Sequence, residues 1–455
     1  MDMETPAASR DGGRGRVAAD RLSALPDHVL LNVLSCLTSL QAARTSALSR
    51  RWRHLWRAVP CIDIDQSEFL RPPRPAAADL RPTRVHAFYD AAKEEHERLL
   101  ASIELRDRFE DLGDRLSLRH DASSPPLDAL RLRVACDDFR AALKWIRRGL
   151  ARRPAALFLR CDNDYPEDKV KDRRWPCFPT AYAAGSFTCR LRTLRLSGLR
   201  LTREFADALA AGFPVLEDMQ LQECRCELRR LASASLKKLS IEFECHGLAY
   251  KFDELVLMAP SLVSLRLGDA PPITMQCLTS SVVEATLMHR AGDLGVLRSL
   301  RGARTLKLFW FSRTALLDDG EPGGFPVFGN LRTLLLDGCD VGAQCHVLRR
   351  FLGNAPGLET LTLRNCLRSG VFSGGSAPTS RSRKRKASAK RKRSDDQRAP
   401  AAYPCRNLKL IELEFEEDHA LSELAGALRD ISKEVVHPIE GSVQDGRRTI
   451  KIKYT

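Results

Sequence analysis

The side chains best equipped for chemistry in this 455-residue chain are fourteen cysteines, ten histidines and one dense run of arginine and lysine. Cysteine and histidine can ligate a metal, or act as nucleophile and base, only when the fold gathers them at suitable spacing. Cys224 and Cys226 form the single close cysteine pair, and Cys245-His246 and Cys345-His346 are isolated neighbours. Paired Cys-x-x-Cys spacing, a Gly-x-Ser-x-Gly elbow, His-Glu-x-x-His and a phosphate-binding glycine loop are all missing. The expectation is a chain without catalytic residues, metal or cofactor, its thiols reduced and mostly buried.

Recognition chemistry is easier to find. Between Arg381 and Arg393, nine of thirteen residues are cationic: Arg381, Arg383, Lys384, Arg385, Lys386, Lys390, Arg391, Lys392 and Arg393. Without these nine the formal net charge falls from +15 to +6, so the basicity of the chain belongs largely to one segment. Such a block stays solvated, and it reads as a nuclear localisation signal. It could also bind phosphates without sequence preference, but no aromatic residue is interleaved for base stacking.

A second recognition segment runs from Asp20 to Trp56 and carries three short amphipathic patterns. Pro26 stands where a helix begins, followed by Val29, Leu30, Val33, Leu34 and Leu37 on one helical face. Ser39 is positioned to cap a second helix and Ser49 a third, with Trp52, Leu55 and Trp56 at helical spacing. Arg44, Arg50, Arg51, Arg53 and Arg57 make the opposite face cationic. Fewer than forty residues rarely close a core alone, so a partner is expected to complete this one.

The wording of that segment, D-R-L-S-x-L-P-D-x-V-L and then R-T-S-x-L-S-R-R-W-R-x-L-W, resembles the F-box of plant F-box proteins. The F-box is the adaptor-binding module of substrate receptors in SCF-type ubiquitin ligases. The resemblance implies that Leu25, Pro26, Leu30, Leu34, Leu37 and Trp52 contact a Skp-type adaptor, and through it cullin. Buried aliphatic and aromatic anchors are what such an interface uses.

The remainder reads as a repeat array. An apolar-x-x-apolar-x-apolar unit has its middle position at 130, 157, 194, 219, 239, 265, 285, 306, 334, 361 and 411, mostly 20 to 28 residues apart. That period is the leucine-rich-repeat period. Cys224, Cys339 and Cys366 fall three residues past the last apolar position, where a side chain can hydrogen-bond backbone as the chain leaves its strand. Helical patterns at 137–152 and around Leu348, Phe351 and Leu352 lie between strand units. Residues such as Arg195, Gln220, Lys238, Arg266 and Lys307 would line the strand face, with a cationic tendency that points to an acidic partner. Two gaps are long. One holds the polar stretch Asp162 to Trp175, a candidate contact loop or plain insertion, and the other holds the basic run. The last segment ends in Ile450 and Ile452 alternating with lysine, which reads as a charge-protected edge strand. It resembles the FBD-like C-terminus of plant F-box proteins.

The expected fold is α/β: a three-helix F-box, then an irregular leucine-rich-repeat solenoid with parallel strands on its concave face and helices outside. The expected divisions are 1–19 disordered leader, 20–66 F-box, 67–125 linker and connecting helices, 126–368 repeats, 369–402 disordered basic insert, and 403–455 last repeat and cap. The polar N-terminus lacks a secretory h-region, and no apolar run spans a membrane. The expected function is a non-catalytic substrate-recognition subunit of an SCF-type ligase. It would be monomeric within its complex, bind an unknown protein target, and reside in the nucleus with the cytoplasm as a second compartment. Neither membrane nor nucleic acid is an expected partner. A nuclear F-box scaffold without a degradation role, and a nucleic-acid-associated protein acting through the basic insert, stay open as alternatives.

Overall fold

A computed structural model of the chain describes residues 25–69, 103–115, 125–135, 139–162, 175–182, 188–242, 254–268, 273–276, 281–288, 294–311, 324–341, 345–366, 407–415, 440–444 and 447–453. The chain forms two compact units, divided between Arg131 and Leu132.

The first unit opens with helices α1 (Asp27–Ser35), α2 (Ser39–Arg44) and α3 (Trp52–Leu55). Pro26 is the N-cap of α1, extended at φ −60°. Helix α2 is capped by Thr38, whose oxygen accepts the Gln41 N–H, and not by Ser39. Ser39 lies inside the helix with its hydroxyl turned to accept the backbone N–H of Asp63. The Thr38 hydroxyl also faces both carboxylate oxygens of Glu68, at 2.8 and 2.9 Å. Ser49 does accept from Trp52 N–H, at 3.4 Å, ahead of a third helix only four residues long.

The three helices share a small core. Leu30, Leu34, Ala42, Trp52 and Val59 are buried together, with Leu25, Leu37, Leu55, Trp56 and Cys61 packed around them. Strand β1 (Cys61–Asp65) follows, with Cys61 against this cluster and with Ile62 and Ile64 buried by its alternation. Helix α4 (103–115) adds Phe109, fully buried, edge-on to Phe69 at 5.4 Å. Strand β2 (Ala129–Ala135) begins beside β1, where Arg131 and Asp63 approach to 3.9 Å.

The second unit is built on one ladder. Its strands are β3 (Ala156–Asp162), β4 (Thr193–Ser197), β5 (Arg200–Leu201), β6 (Asp218–Gln222), β7 (Arg225–Cys226), β8 (Arg230–Ala232) and β9 (Lys238–Glu242). They continue as β10 (Leu255–Met258), β11 (Ser264–Leu267), β12 (Ile273–Met275), β13 (Glu284–Met288), β14 (Thr305–Phe309) and β15 (Thr333–Asp337). The last are β16 (Thr360–Arg364), β17 (Leu410–Phe415), β18 (Glu440–Gln444) and β19 (Arg447–Lys453). Strands β3, β4, β6, β9, β11, β13, β14, β15, β16 and β17 pair in that order, all parallel.

The register follows the leucine pattern. Leu157 pairs with Leu194, Leu194 with Met219, Met219 with Leu239 and Leu239 with Leu265. Ala285, Leu306, Leu334, Leu361 and Ile411 continue the row. Each of these side chains is at most 2% exposed, so a single stacked column of apolar side chains runs through the unit. Shifting one strand by one residue would turn its whole apolar set to solvent, which fixes the pairing.

The return segments vary. Helices α5 (Phe139–Ala151), α6 (Arg203–Gly212), α7 (Leu294–Ser299) and α8 (His346–Asn354) fill some repeats. In the middle repeats the described part of the return includes short strands: β8, β10 and β12 form a separate parallel sheet. Leu231, Leu255, Leu257 and Ile273 supply its buried side chains.

The C-terminal end differs too. Strand β19 is not an edge strand, since it lies between β17 and β18, antiparallel to both. Ile452 faces Ile411 and is buried, and Lys451 reaches Glu412 at 3.0 Å. Charge–apolar alternation describes a strand with one wet face equally well.

Candidate functional site

Of the six residues expected to meet the adaptor, Leu30 and Leu34 are fully buried and Trp52 is 5% exposed in the first unit's own core. Pro26 is exposed, and Leu25 and Leu37 are half-buried. Helical spacing groups residues on a face but does not distinguish the side that closes the core from the flank that a partner covers. The apolar side chains left in water are Val33, 45% exposed, and Leu48, 70% exposed. Arg44, Arg50, Arg53 and Arg57 are exposed around them in sequence, with the Arg57 guanidinium over the Trp56 ring. This unit thus keeps two large apolar side chains and several arginines in water.

The second unit presents the polar face of its ladder. Between the buried leucines, one side chain per strand points outward, and register aligns them. Phe158 pairs with Arg195, Arg195 with Gln220, and Gln220 with Ser240. Ser240 pairs with Arg266, and Thr286 with Lys307 further on. Lys238 belongs to the adjacent row on this face, opposite Asp218 and Ser264.

The cations of this face are in two different states. Lys307 is bound to Glu284 at 2.9 Å and Arg364 to Glu414 at 2.6 Å. Arg195 instead lies over the Phe158 ring at 5.2 Å, and Arg266 donates to the Met288 sulfur at 3.4 Å. Arg195, Arg266 and the exposed Lys238 of the adjacent row are thus cations of this face with no carboxylate recorded against them among the described residues.

At the ends of five strands, β4, β6, β14, β15 and β16, the chain turns through a left-handed residue. Gly198, Glu223, Trp310, Gly338 and Asn365 occupy this place with φ of 70°, 49°, 49°, 61° and 44°. Their N–H groups continue the ladder, as Trp310 to the Asp337 carbonyl at 2.7 Å and Gly338 to that of Arg364 at 2.9 Å. The next residue plunges inward, and in three repeats it is cysteine. The thiol of Cys224 donates to the Leu196 carbonyl at 3.5 Å, Cys339 to Leu308 at 3.5 Å and Cys366 to Leu336 at 3.4 Å. Each therefore ties its turn to the strand of the preceding repeat. Burial pushes the Cys224 thiol up to about 12 and Cys339 up to about 11, and raises Cys366 as well. These thiols are structural donors and poor nucleophiles.

A feature invisible in the leucine pattern lies just before the strands. Arg192, Glu217 and Lys237 form one ion ladder, at 2.5 and 3.3 Å, and Arg332, Glu359 and Lys409 another, at 3.2 and 2.9 Å. The hydrogen bond from Lys237 holds the Glu217 carboxyl below the usual range, and that from Lys409 does the same for Glu359. Acids and bases recurring at the repeat period were the available signal. Among the described residues, no group of three or more His, Cys, Asp and Glu side chains could hold a metal ion, and no helix is long and apolar enough to cross a membrane. The basic run 381–393, the polar stretch 163–174, the pair Cys245-His246 and the helical pattern at 421–431 lie outside the described residues.

A small helical module with an unpartnered apolar surface, and a leucine ladder with a polar face, define a two-surface adaptor protein. Residues 22–62 match the F-box domain model. The meiotic F-box protein MOF of rice (Oryza sativa subsp. japonica) is 34% identical over 450 residues, covering 92% of this chain and 84% of that protein. An F-box/LRR-repeat protein of Arabidopsis thaliana is 26% identical over 397 residues, covering 76% of this chain and 77% of its own length. An Arabidopsis F-box protein is 25% identical over 389 residues, covering 76% and 74%. The chain belongs to the plant F-box/leucine-rich-repeat protein family. An F-box implies binding to the Skp-type adaptor of SCF complexes, and F-box proteins are generally non-catalytic subunits of them.

Proposed function

We propose that this chain is a substrate receptor of an SCF-type ubiquitin ligase, its F-box bound to a Skp-type adaptor and its repeats holding a protein target for ubiquitination. The observation that carries this reading is the coexistence of the two surfaces in one chain. One is an F-box with Leu48 and Val33 in water, and the other is a ladder whose outward side chains are free to vary while its leucines are not. The ligase acts by bringing target and ubiquitin-charged enzyme together, so the receptor contributes orientation without chemistry of its own.

The adaptor face in this reading comprises Leu25, Pro26, Leu37, Val33 and Leu48. Leu30, Leu34 and Trp52 act from beneath by holding the helices in place. Copurification of the full chain with adaptor and cullin, abolished by Leu48→Asp with the fold retained, supports it. Copurification unaffected by that change together with Val33→Asp overturns the assignment. Targets that accumulate when the F-box is deleted support a degradation role. Unchanged levels of every captured protein favour a scaffold. The run Arg381–Arg393 is proposed to direct the chain to the nucleus, and nuclear residence after its cations are changed to serine would refute that.

A further inference from the structure

We propose that the outward face of β4 to β14 takes an extended acidic segment of the partner protein, gripped at two carboxylates by Arg195 and Arg266 and anchored by an apolar side chain on Trp310. The inference rests on the reading that the repeats hold a protein target, and it names the chemistry of that target.

Three observations lead to it. Lys307, Arg364 and Lys451 are each neutralised by a carboxylate of a neighbouring strand, at 2.9, 2.6 and 3.0 Å. Arg195 and Arg266 are exposed, and among the described residues their recorded contacts are an aromatic ring and a thioether sulfur. A guanidinium resting on Phe158 or against Met288 keeps its donors available for an incoming carboxylate, and its planar fork suits bidentate binding.

The second observation is spacing. Arg195 on β4 and Arg266 on β11 are in one register row, separated by β6 and β9. Three strand steps of about 4.8 Å put them roughly 14 Å apart. An extended peptide lying across the strands advances about 3.4 Å per residue, so two acidic residues about four positions apart would meet both arginines.

The third is Trp310. It is 55% exposed, and its left-handed backbone is tied to Asp337 at 2.7 Å. Its indole lies so close to Gly338 that a Cβ there would stand 2.3 Å from the ring. One edge of the indole is seated on backbone while much of the side chain stays in water, an arrangement that costs little entropy when a partner covers it. Trp310 lies two strand steps, about 10 Å, beyond β11 and three residues, about another 10 Å, past Lys307 of the same register row, so a peptide slanting across the strands reaches it about 14 Å, or roughly four residues, beyond Arg266.

The strands between the arginines carry Asp218 and Glu242, with Lys238 in register with Asp218, beside neutral Gln220 and Ser240. A continuous row of phosphates would meet those carboxylates. A peptide can place neutral residues there, so the mixed face favours protein over nucleic acid.

The test is fluorescence anisotropy on the full chain purified with its adaptor. The probe is a labelled peptide with two glutamates about four residues apart and a leucine about four residues beyond. Saturable binding is expected, weakened by at least about fivefold in Arg195→Glu and in Arg266→Glu, the upper range for an exposed ion pair. Trp310→Ala should weaken it similarly, and Arg203→Glu on α6 should leave it unchanged. A peptide with its two glutamates adjacent should bind at least about fivefold less tightly, by the same reasoning. Thermal unfolding midpoints equal to wild type confirm that the variants are folded. Binding that ignores these variants, or that Arg203→Glu reduces equally, overturns the proposal. So does a single-stranded RNA that binds more tightly than the peptide with the same dependence on Arg195 and Arg266. Peptide binding does not require ubiquitin transfer, so failure of the ligase reading and failure of this one appear in separate measurements.

Discussion

Arg51, just ahead of α3, grips the entrance of α1: its Nη2 donates to Asp27 Oδ1 at 2.6 Å and to the Leu25 carbonyl at 2.5 Å. The bond fixes the Leu25-Pro26-Asp27 turn on which the proposed adaptor face begins. Both side chains are substantially exposed, so the ion pair itself stabilises by no more than about 1 kcal/mol. Arg51→Ala should therefore leave the unfolding midpoint nearly unchanged and weaken adaptor binding severalfold, as isothermal titration of the purified chain with adaptor would report. An unfolded module would show instead that the contact is a main support of the fold.

Leu30 and Leu48 separate fold from contact. Leu30→Asp buries a carboxylate in the core of Leu34, Trp52 and Val59, and should unfold the first unit and remove its helical circular dichroism. Leu48→Asp changes a side chain 70% exposed and should shift stability by less than about 0.5 kcal/mol while abolishing adaptor capture. Equal loss of structure in both would mean that Leu48 supports the fold.

Thiol reactivity should sort by position. Cys36, Cys177 and Cys189 are exposed and should react with a thiol reagent under native conditions, while Cys224, Cys339 and Cys366 stay protected until unfolding. Raised thiol pKa values mean that the folded state holds its protons longer than the unfolded chain does. The stability from these groups is complete below the unfolded thiol value, near about 8.5, and declines as pH rises toward the folded values. Alkaline unfolding monitored from pH 8 upward should show this loss, and Cys→Ala replacement at Cys224 should reduce its slope.

The left-handed turns predict opposite outcomes for similar changes. At Gly198 a Cβ would lie 1.9 Å from the Cys161 carbonyl oxygen, so Gly198→Ala should cost more than about 2 kcal/mol. Glu223 occupies the equivalent turn with its side chain exposed, and Glu223→Gly should be neutral or slightly stabilising. Denaturant midpoints of the two variants compare them directly. A neutral Gly198→Ala would mean that the Cys161 backbone can yield.

Where sequence and structure agree, the reason is period. Leucine triplets specify a strand because burial on one side fixes both alternation and register, and the nine pairings from Leu157 to Ile411 fall on the anticipated residues. The three strand-end cysteines were legible because their place in the unit is constant. What lacked a period was not legible. Three residues such as Arg230–Ala232 are too few to distinguish strand from loop, and Cys61–Asp65 read as the tail of a helical module. Which F-box side chains are buried was not legible for another reason. A motif preserves both the residues that touch a partner and those that hold them in place, and Leu30 and Leu48 differ only in burial. Trp310 carried no signal at all, because its exposure depends on the glycine of the following repeat.

The reversal of chain direction at β19 has a consequence for how such a molecule can grow. A ladder of parallel strands is open-ended: its last strand offers the pairing that each earlier strand offered the next. Here the final parallel strand is met by a strand running the other way, and another antiparallel strand lies outside that. The two reversals cancel, so β18 at the border runs the same way as the ladder strands, but the far edge of β17 is occupied by β19. A further parallel strand could therefore extend the leucine row beyond Ile411 only by displacing β19 and its Ile452 from that edge.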